Sequence, residues 1–469
     1  MASIIIFIIF SFFLVGVGLY ASRQSKTNES YFLANRSLGW LLVGISASVT
    51  GNTGFIVTGA VGIGYSMGLS SLLLPLSWLL GDLLYWNVFP KKLNLISKEQ
   101  NSSTISEYLS YNLPKNKTLI YISTLTVVII ILFYTSAQWV AAGMIFSAFF
   151  NSSIIIGILI SAILVIIYSS IGGLKSSVLT DLFQAVFVII LLIVIYWTVF
   201  FSNDFSFSML DQYEGHLNLT FYYPIFPLIG FILGWFFASI GFGLSQPQIL
   251  IRYFSAKMSS DFNKAKWVYI IFLQVTWIGF TFFGVLLRAI MPDIPQNSQE
   301  QGLALFINSN FSPIIVGILI SGMFSTISST ADSFLISLTN SVKMDVLSHT
   351  KKYKETNNKL LAIIIGTITI LIAIILSNTS VLQIAMNSVS YLGACIAPVV
   401  LIKTLNFKHT ASSLSFTIII SLFSAVLWQL LGFSKYTGTN FFETINLAFV
   451  GIIIGVIFNY SYIIFKRNK

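Results

Sequence analysis

The amino-acid sequence predicts an all-α protein that crosses a membrane many times, and three observations support this fold class. First, 56% of the 469 residues are hydrophobic, 9% are charged, and the mean hydropathy is +0.88, a composition foreign to water-soluble domains. Second, apolar segments of about 20 residues, long enough to span a bilayer as a helix, recur along the whole chain. Third, basic residues are confined to alternate connections between these segments, as the positive-inside rule requires.

The apolar segments predict about thirteen transmembrane helices in one domain over 1–469. The first segment, 3–21, lacks the basic start and the cleavage site of a signal peptide, so we expect it to remain as a helix. The other predicted spans are 38–67, 68–90, 117–149, 153–171, 176–201, 222–247, 266–290, 312–342, 359–377, 380–403, 412–433 and 441–465.

The basic residues predict an N-terminus outside and a C-terminus inside. In this orientation all but two of the 25 Lys and Arg residues, Arg288 and Lys435, lie in inner segments, with Arg252 counted in one of them. Membrane topology therefore explains the net charge of +10, and no nucleic-acid partner is expected. Short loops and abundant Ile, Asn and Lys favour a multi-pass protein of a bacterial plasma membrane.

Two spans are predicted to be broken at mid-membrane. Residues 48–54, SVTGNTG, combine two glycines with small polar residues, and residues 241–248, GFGLSQPQ, contain Pro247. Unwound backbone at this depth is tolerated around a cavity or an ion. Close packing of small residues is the alternative for the first segment. Broken helices at matching places in two halves indicate an inverted-repeat secondary transporter.

The span 312–345 carries an unusual density of oxygen atoms. Ser329, Asp332 and Ser333 share one helical face, with Thr326 and Thr330 on its flank. Hydroxyl and carboxylate oxygens within a membrane are costly unless they meet an ion, water or each other. The pattern suggests a sodium site. The alternative is that each hydroxyl group donates a hydrogen bond to a carbonyl of its own helix, and we favour this alternative for Ser325 and Ser328.

Asp82, Asp181 and Asp332 are the acidic residues predicted to lie well within spans. Asp181 has a second interpretation as a helix-initiating acid, and for Asp82 a structural hydrogen bond and a functional role stay open.

The single cysteine excludes an internal disulfide. The three histidines are predicted in loops, and no nucleophile–base pair lies in the spans, so an enzyme is not expected.

Four motifs resemble those of the sodium/solute symporter family, with the proline-transporting branch the most similar. They are RSLGWLLVGISASVTGNTGF at 36–55, GGLKSSVLTDLFQ at 172–184, SQPQILIRYFSAK at 245–257 and STADSFLISLTNSVKMD at 329–345. The motifs occur in order over nearly the whole chain. The resemblance implies a leucine-transporter-like fold of two inverted five-helix repeats, at 38–201 and 222–403, with extra helices at 3–21 and 412–465.

The resemblance also implies the sites. The main sodium ion would be bound by the carbonyls of Val49, Asn52 and Thr326 and the hydroxyls of Ser329 and Thr330. Some family members have a second sodium site at the positions of Asp181, Asp332 and Ser333, whereas others have hydroxyl groups there, so one or two sodium ions remain open. The implied solute contacts are Thr53, Phe55, Gln138, Ser239, Phe242, Ser390 and Tyr391.

This sequence departs from the proline branch at three positions. Gly51 replaces an aspartate of the first unwound segment, and Ser239 and Gly243 replace aromatic residues. Proline itself is therefore not established as the solute, and amino acids, carboxylates, sialic acids and sugars are all candidates. No arginine is predicted within the membrane, so an anionic solute would have to use helix N-termini and backbone amides.

The predicted function is sodium-coupled import of a small organic solute by alternating access, with Na+ as coupling ion and the lipid bilayer as surroundings. A protein that acts as a monomer is expected. A proton-coupled or uncoupled permease of the same fold is the first alternative, with Asp181 or Asp332 carrying the proton. A transporter-like solute sensor is the second, although the predicted domain carries no appended signalling segment.

Overall fold

A computed structural model describes residues 2–23, 27–114, 116–201, 205–257, 262–349 and 356–467. Lys26, Lys115, Lys351, Lys352, Lys354 and Lys469, which contribute to the predicted charge asymmetry, lie outside these ranges. The described chain forms α1 (Ala2–Ser22), α2 (Asn28–Leu33), α3 (Trp40–Gly51), α4 (Gly54–Val57), α5 (Gly59–Met67), α6 (Leu73–Val88), α7 (Pro90–Gln100), α8 (Ile105–Ser110), α9 (Lys117–Phe150), α10 (Ile154–Phe201), α11 (Ile225–Ser245), α12 (Pro247–Phe254), α13 (Phe262–Ile290), α14 (Gly302–Asn310), α15 (Pro313–Ser341), α16 (Asn358–Ile375), α17 (Val381–Thr404), α18 (Ala411–Leu430), α19 (Phe441–Thr444) and α20 (Leu447–Arg467).

Eleven helical segments of the described chain are long and apolar enough to cross a membrane. Two of them, Gly59–Val88 and Ile154–Phe201, each contain parts of two predicted spans, and Trp40–Gly51 is a shorter apolar helix. The all-helical membrane fold is therefore confirmed. The count of thirteen, the orientation of the termini and the division into repeats stay predictions.

Both predicted breaks are present. Helix α3 ends at Gly51, Asn52 has φ −76° and ψ 72°, and α4 begins after Thr53. Helix α11 ends at Ser245, and Gln246 is extended at φ −79° and ψ 111° before Pro247 starts α12. Proline has no N–H and restricts the preceding residue to extended backbone, which accounts for the second break.

Helix α10 contains a third irregularity, which falls between the predicted spans 153–171 and 176–201. Gly173 interrupts the helix at φ 63° and ψ −161°, a conformation that only glycine adopts readily. Asp181 lies about two turns beyond this break. That position is too far from a helix start for the helix-initiating role.

Helix α15 lies at the centre of the bundle. Every residue from Leu319 to Ser341 is buried, and the helix packs against α1, α9 and α10. A helix buried on all sides that nevertheless carries many hydroxyl groups must satisfy them within the protein.

The short helix α8 precedes α9. The side chain of Thr104 accepts a hydrogen bond from Glu107 N at 3.0 Å and so caps α8. The hydroxyl of Ser106 contacts Thr124 at 2.8 Å. The Thr104 hydroxyl also donates to buried Asp345 at 2.6 Å, which fixes α8 to the end of the α15 segment.

The connection between α10 and α11 folds back onto the bundle through His216. Its carbonyl accepts a hydrogen bond from Leu69 N at 2.8 Å, and its ring Nε2 lies 3.1 Å from Val285 O. Gly68 allows this approach because a Cβ atom there would lie 2.1 Å from His216 O. Burial, with Arg288 nearby, lowers the pKa of His216 below its ordinary value of 6.5.

We expect acidification to loosen this connection. Well above pH 6.5 the ring is neutral whether the loop is docked or released. As the pH falls through that value the released form binds the proton first, so docking loses stability. The protection of amides 207–221, measured relative to the intrinsic exchange rate at each pH, should therefore fall between pH 7 and 5.5, and His216→Gln should remove this fall. An equal fall in the variant would contradict the prediction.

Candidate sodium and solute site

The break between α3 and α4 brings backbone oxygens of the first broken helix to the middle of α15. The hydroxyl of Ser329 lies 3.2 Å from Val49 O and 3.1 Å from Thr326 O. The hydroxyl of Thr330 lies 2.9 Å from Thr50 O and 3.2 Å from Thr326 O. Two carbonyls and two hydroxyls of the predicted sodium site therefore meet in one fully buried cluster.

The chemistry of this oxygen cluster fits a small monovalent cation. Hard cations prefer oxygen ligands, and unwound carbonyls in broken membrane helices are known to bind Na+. All four oxygens belong to neutral groups, so a single positive charge suits them better than a divalent ion. Asn52, the fifth predicted ligand, donates from its side-chain amide to Thr276 Oγ1 at 2.7 Å and from its backbone N to Ser48 O at 2.9 Å and Val49 O at 3.1 Å.

The hydroxyls of Ser325 and Ser328 behave differently, in agreement with the alternative proposed for them. Ser325 donates to Ser321 O at 2.7 Å, and Ser328 donates to Phe324 O at 2.8 Å. These groups satisfy their own helix. The hydroxyls directed at the α3 break are those of Ser329 and Thr330.

An ionic cluster lies beside the oxygen cluster, and at its centre is an arginine that the charge pattern assigned to an inner connection. Arg252 of α12 is fully buried and forms an ion pair with Asp181 of α10 at 3.2 Å. Its guanidinium also donates to Ser46 Oγ at 2.8 Å and to Ser333 Oγ at 2.6 Å. Assigning Arg252 to an inner loop was wrong.

The predicted second sodium residues therefore surround a guanidinium. Asp332 accepts hydrogen bonds from Ser177 at 2.9 Å and from Ser333 at 3.0 Å. Ser333 contacts Thr50 Oγ1 at 3.2 Å, which connects this cluster to the oxygen cluster. Within the described ranges, Asp181 Oδ1 and Asp332 Oδ2 have no hydrogen-bond partner.

Four of the predicted solute residues lie around a group of aromatic rings between the two breaks. Phe55 contacts Trp277 at a centroid distance of 5.7 Å, and Trp78 contacts Trp277 at 5.3 Å and Phe242 at 5.4 Å. Gln138 accepts a hydrogen bond from Gly54 N at 2.8 Å, and Thr53 Oγ1 accepts one from Phe55 N at 3.2 Å.

The remaining predicted solute residues are directed elsewhere. Ser239 donates to Asp82 at 2.7 Å on the α6 side of the aromatic group. Ser390 accepts a hydrogen bond from Asn446 at 2.9 Å, and the hydroxyl of Tyr391 contacts Gln429. In this conformation Ser390 and Tyr391 do not join the four residues around the aromatic group.

The two ends of the bundle differ around this site. At the end predicted to be outside, a cavity of about 400 Å³ is lined by Gly59, Ser66, Gln299 and Ser380, among others. At the end predicted to be inside, Leu38 N donates to Ser255 O at 3.0 Å and Lys257 N donates to Leu38 O at 2.7 Å, which ties the start of α3 to the end of α12. We refer to the cavity as the vestibule.

A bundle with two broken helices and a neutral oxygen cluster between them defines an ion-coupled secondary transporter. Its fold is shared with a Na+-coupled sialic acid symporter in a substrate-bound outward-open state (TM-score 0.81, 17% identity, 98% of this chain and 97% of that chain). MhsT in complex with L-phenylalanine is also similar (TM-score 0.51, 16% identity, 94% and 99% coverage). The structural neighbours have the leucine-transporter-like fold.

The chain belongs to the sodium:solute symporter family, whose family model matches residues 31–413. Sodium/proline symporters of Staphylococcus aureus are 25–26% identical over 411 residues, which covers 83% of this chain and 78% of the relatives. The protein is therefore a multi-pass cell-membrane transporter rather than an enzyme, in a family that couples solute symport to Na+.

Sequence reasoning missed Arg252 as part of the site. The signal available was the position of the arginine five residues after Pro247, on a segment too short to be a span of its own. Because basic residues near span ends ordinarily lie at the membrane surface, the charge pattern outweighed this signal.

Proposed function

We propose that this protein imports a small organic solute together with sodium by alternating access. The observation that carries the proposal is the meeting of Val49, Thr326, Ser329 and Thr330 at the break of α3. Sodium bound there would replace hydrogen bonds that now link α3 to α15. Its binding would therefore depend on how the two helices are placed relative to each other.

Coupling follows from this geometry. The residues that start α4, Thr53 and Gly54, follow directly on the sodium-binding segment, and Phe55 joins the aromatic group. An ion that fixes the end of α3 also fixes the start of α4, so sodium and solute would each raise the affinity for the other. Such reciprocal coupling is worth about 1–3 kcal/mol, and a membrane voltage of 100 mV adds about 2.3 kcal/mol per charge.

The vestibule supports an entry path from the outer side. Gly59 lines the vestibule, and a Cβ atom on Gly59 would lie 2.8 Å from the Phe55 ring. Phe55, a member of the aromatic group, therefore lies behind Gly59 at the edge of the vestibule. The α3–α12 backbone contacts and the Arg252–Asp181 ion pair would close the inner path in this conformation.

A proton-coupled symporter is the second candidate, because two buried carboxylates face one arginine. Asp181 and Asp332 together carry one more acidic group than Arg252 neutralises, and each has an oxygen without a partner in the described chain. A second sodium ion or a proton would balance that charge. Solute uptake measured under a sodium gradient and under a proton gradient therefore distinguishes sodium-coupled from proton-coupled symport.

Uptake by proteoliposomes tests the proposal. The purified protein should accumulate one member of a radiolabelled panel (L-proline, choline, D-galactose, L-lactate and sialic acid) under an inward sodium gradient, and collapsing the sodium gradient should abolish accumulation. Accumulation that follows an imposed pH gradient with potassium as the only alkali cation would contradict sodium coupling. The steepness of uptake against sodium concentration distinguishes one ion from two.

A further inference from the structure

Asp82 is a buried carboxylate that neither the sodium site nor the ionic cluster uses. It lies on α6 and is 1% exposed. Its Oδ1 accepts one hydrogen bond, from Ser239 at 2.7 Å, and its Oδ2 has no partner among the described residues. The ion pairs within the described ranges join Arg252 to Asp181 and Lys435 to Glu443, so no cation in these ranges is paired with Asp82.

A second polar group at the same place is also unsatisfied. Trp78 lies one turn before Asp82, and its indole N–H interacts with the Asp82 carboxylate without reaching hydrogen-bond geometry within the described chain. Buried polar groups are nearly always hydrogen-bonded, and an exception calls for an explanation such as a ligand. The Asp82 carboxylate and the Trp78 indole therefore share the features of one incomplete site.

This incomplete site is continuous with the aromatic group. The Trp78 ring contacts Trp277 at 5.3 Å and Phe242 at 5.4 Å, and Trp277 contacts Phe55 at 5.7 Å. Phe55 in turn borders the vestibule through Gly59. A solute that separates Phe55 from Trp277 would thus pass from the vestibule to aromatic faces with a carboxylate behind them.

The groups that would bind an anion at this depth already have partners. The first amides of α4, Gly54 N and Phe55 N, donate to Gln138 and Thr53. The Arg252 guanidinium donates to Asp181, Ser46, Ser177, Ser333 and Gln248 O. Asp82 is the ionisable group beside the aromatic group that has no charged partner in the described ranges, and a cation is the ligand that would complement its ionised form.

We propose that Asp82 binds a positively charged nitrogen of the transported solute, with Trp78 and Trp277 contributing cation–π contacts. The inference rests on the proposed symport function and specifies its solute class as amine- or ammonium-bearing molecules. The nitrogen supplies the missing partner and the missing positive charge to Asp82 Oδ2. Aromatic faces beside a carboxylate are a recurring arrangement for such cations.

Tryptophan fluorescence of the purified protein measures solute binding directly, with choline, L-proline, D-galactose and L-lactate as probes in sodium buffer. We expect saturable binding of choline or L-proline. The uncharged choline isostere 3,3-dimethylbutan-1-ol should bind at least tenfold more weakly than choline. Asp82→Asn should raise the half-saturating concentration of the bound cation at least tenfold.

Asp345→Asn is the matched control, because Asp345 is also buried and accepts hydrogen bonds from hydroxyl groups, those of Thr104 and Thr124, but lies beyond the C-terminal end of α15. Its solute binding should equal that of wild type. An increase in the melting temperature on addition of sodium alone shows that each variant is folded and that its sodium site is intact. Absence of that stabilisation in wild type would contradict sodium coupling instead of this inference.

Two results would overturn the inference. One is saturable binding of D-galactose or L-lactate with higher affinity than every cationic probe. The other is unchanged affinity for the cationic probe in Asp82→Asn, which would make Asp82 a structural partner of Ser239.

Discussion

Removing the hydroxyl of Ser329 or Thr330 should raise the sodium concentration needed for half-maximal uptake tenfold or more. Each hydroxyl lies within 3.2 Å of carbonyls on both α3 and α15. Loss of one oxygen ligand to a charged group costs about 1.5–3 kcal/mol, and every 1.4 kcal/mol corresponds to about tenfold in affinity. Sodium titration of solute uptake for Ser329→Ala and Thr330→Ala measures the effect.

Ser325→Ala is the control for this experiment. Its hydroxyl comes from the same buried helix but donates to its own helix at Ser321 O. The control should lower stability slightly and leave sodium activation unchanged. If Ser329→Ala and Thr330→Ala match Ser325→Ala in sodium dependence, the oxygen cluster does not bind sodium.

Replacing Arg252 by glutamine should unfold the protein at markedly lower temperature and abolish uptake. The substitution leaves Asp181 buried without its cation and removes donors to Ser46 and Ser333. Breaking a buried ion pair from one side costs about 3–5 kcal/mol. Arg252→Lys should not restore stability, because a lysine cannot reproduce the several directed donors of a guanidinium.

A double-mutant cycle identifies the ion pair as the cause. Asp181→Asn and Arg252→Gln should each lower the melting temperature in detergent, and the combined variant should be less destabilised than the sum of both. Lys435→Gln at the exposed pair with Glu443 should have no measurable effect, since exposed ion pairs contribute little. Strictly additive losses at Asp181 and Arg252 would contradict the assignment.

Much of the sodium site could be predicted because its residues are close in sequence. Thr326, Ser329 and Thr330 lie within two turns of one helix, so helical periodicity alone places them together. The break at 48–54 was visible from glycine and small polar residues. The pairing of that break with α15 came from the family resemblance, and the structure brings Val49, Thr326, Ser329 and Thr330 together.

The solute residues were less accessible to sequence reasoning. Ser390 and Tyr391 were placed by analogy, whereas their side chains contact Asn446 and Gln429. Asp82 offered no local partner, and its contact with Ser239 links positions 157 residues apart. Such contacts depend on how helices rotate and cross, which apolar helices leave undetermined when most faces are similarly hydrophobic.

The sequence by itself determined the membrane class, the broken helices and the oxygen-rich face of α15, because hydropathy, proline and glycine effects and helical periodicity act over a few residues. Only the tertiary structure decided that Arg252 is buried against Asp181 and that Asp82 lies behind the aromatic group. A charged side chain can lie at the membrane surface or within the bundle, and the choice depends on whether a distant helix supplies its partner. The packing of the helices determines which residue is that partner.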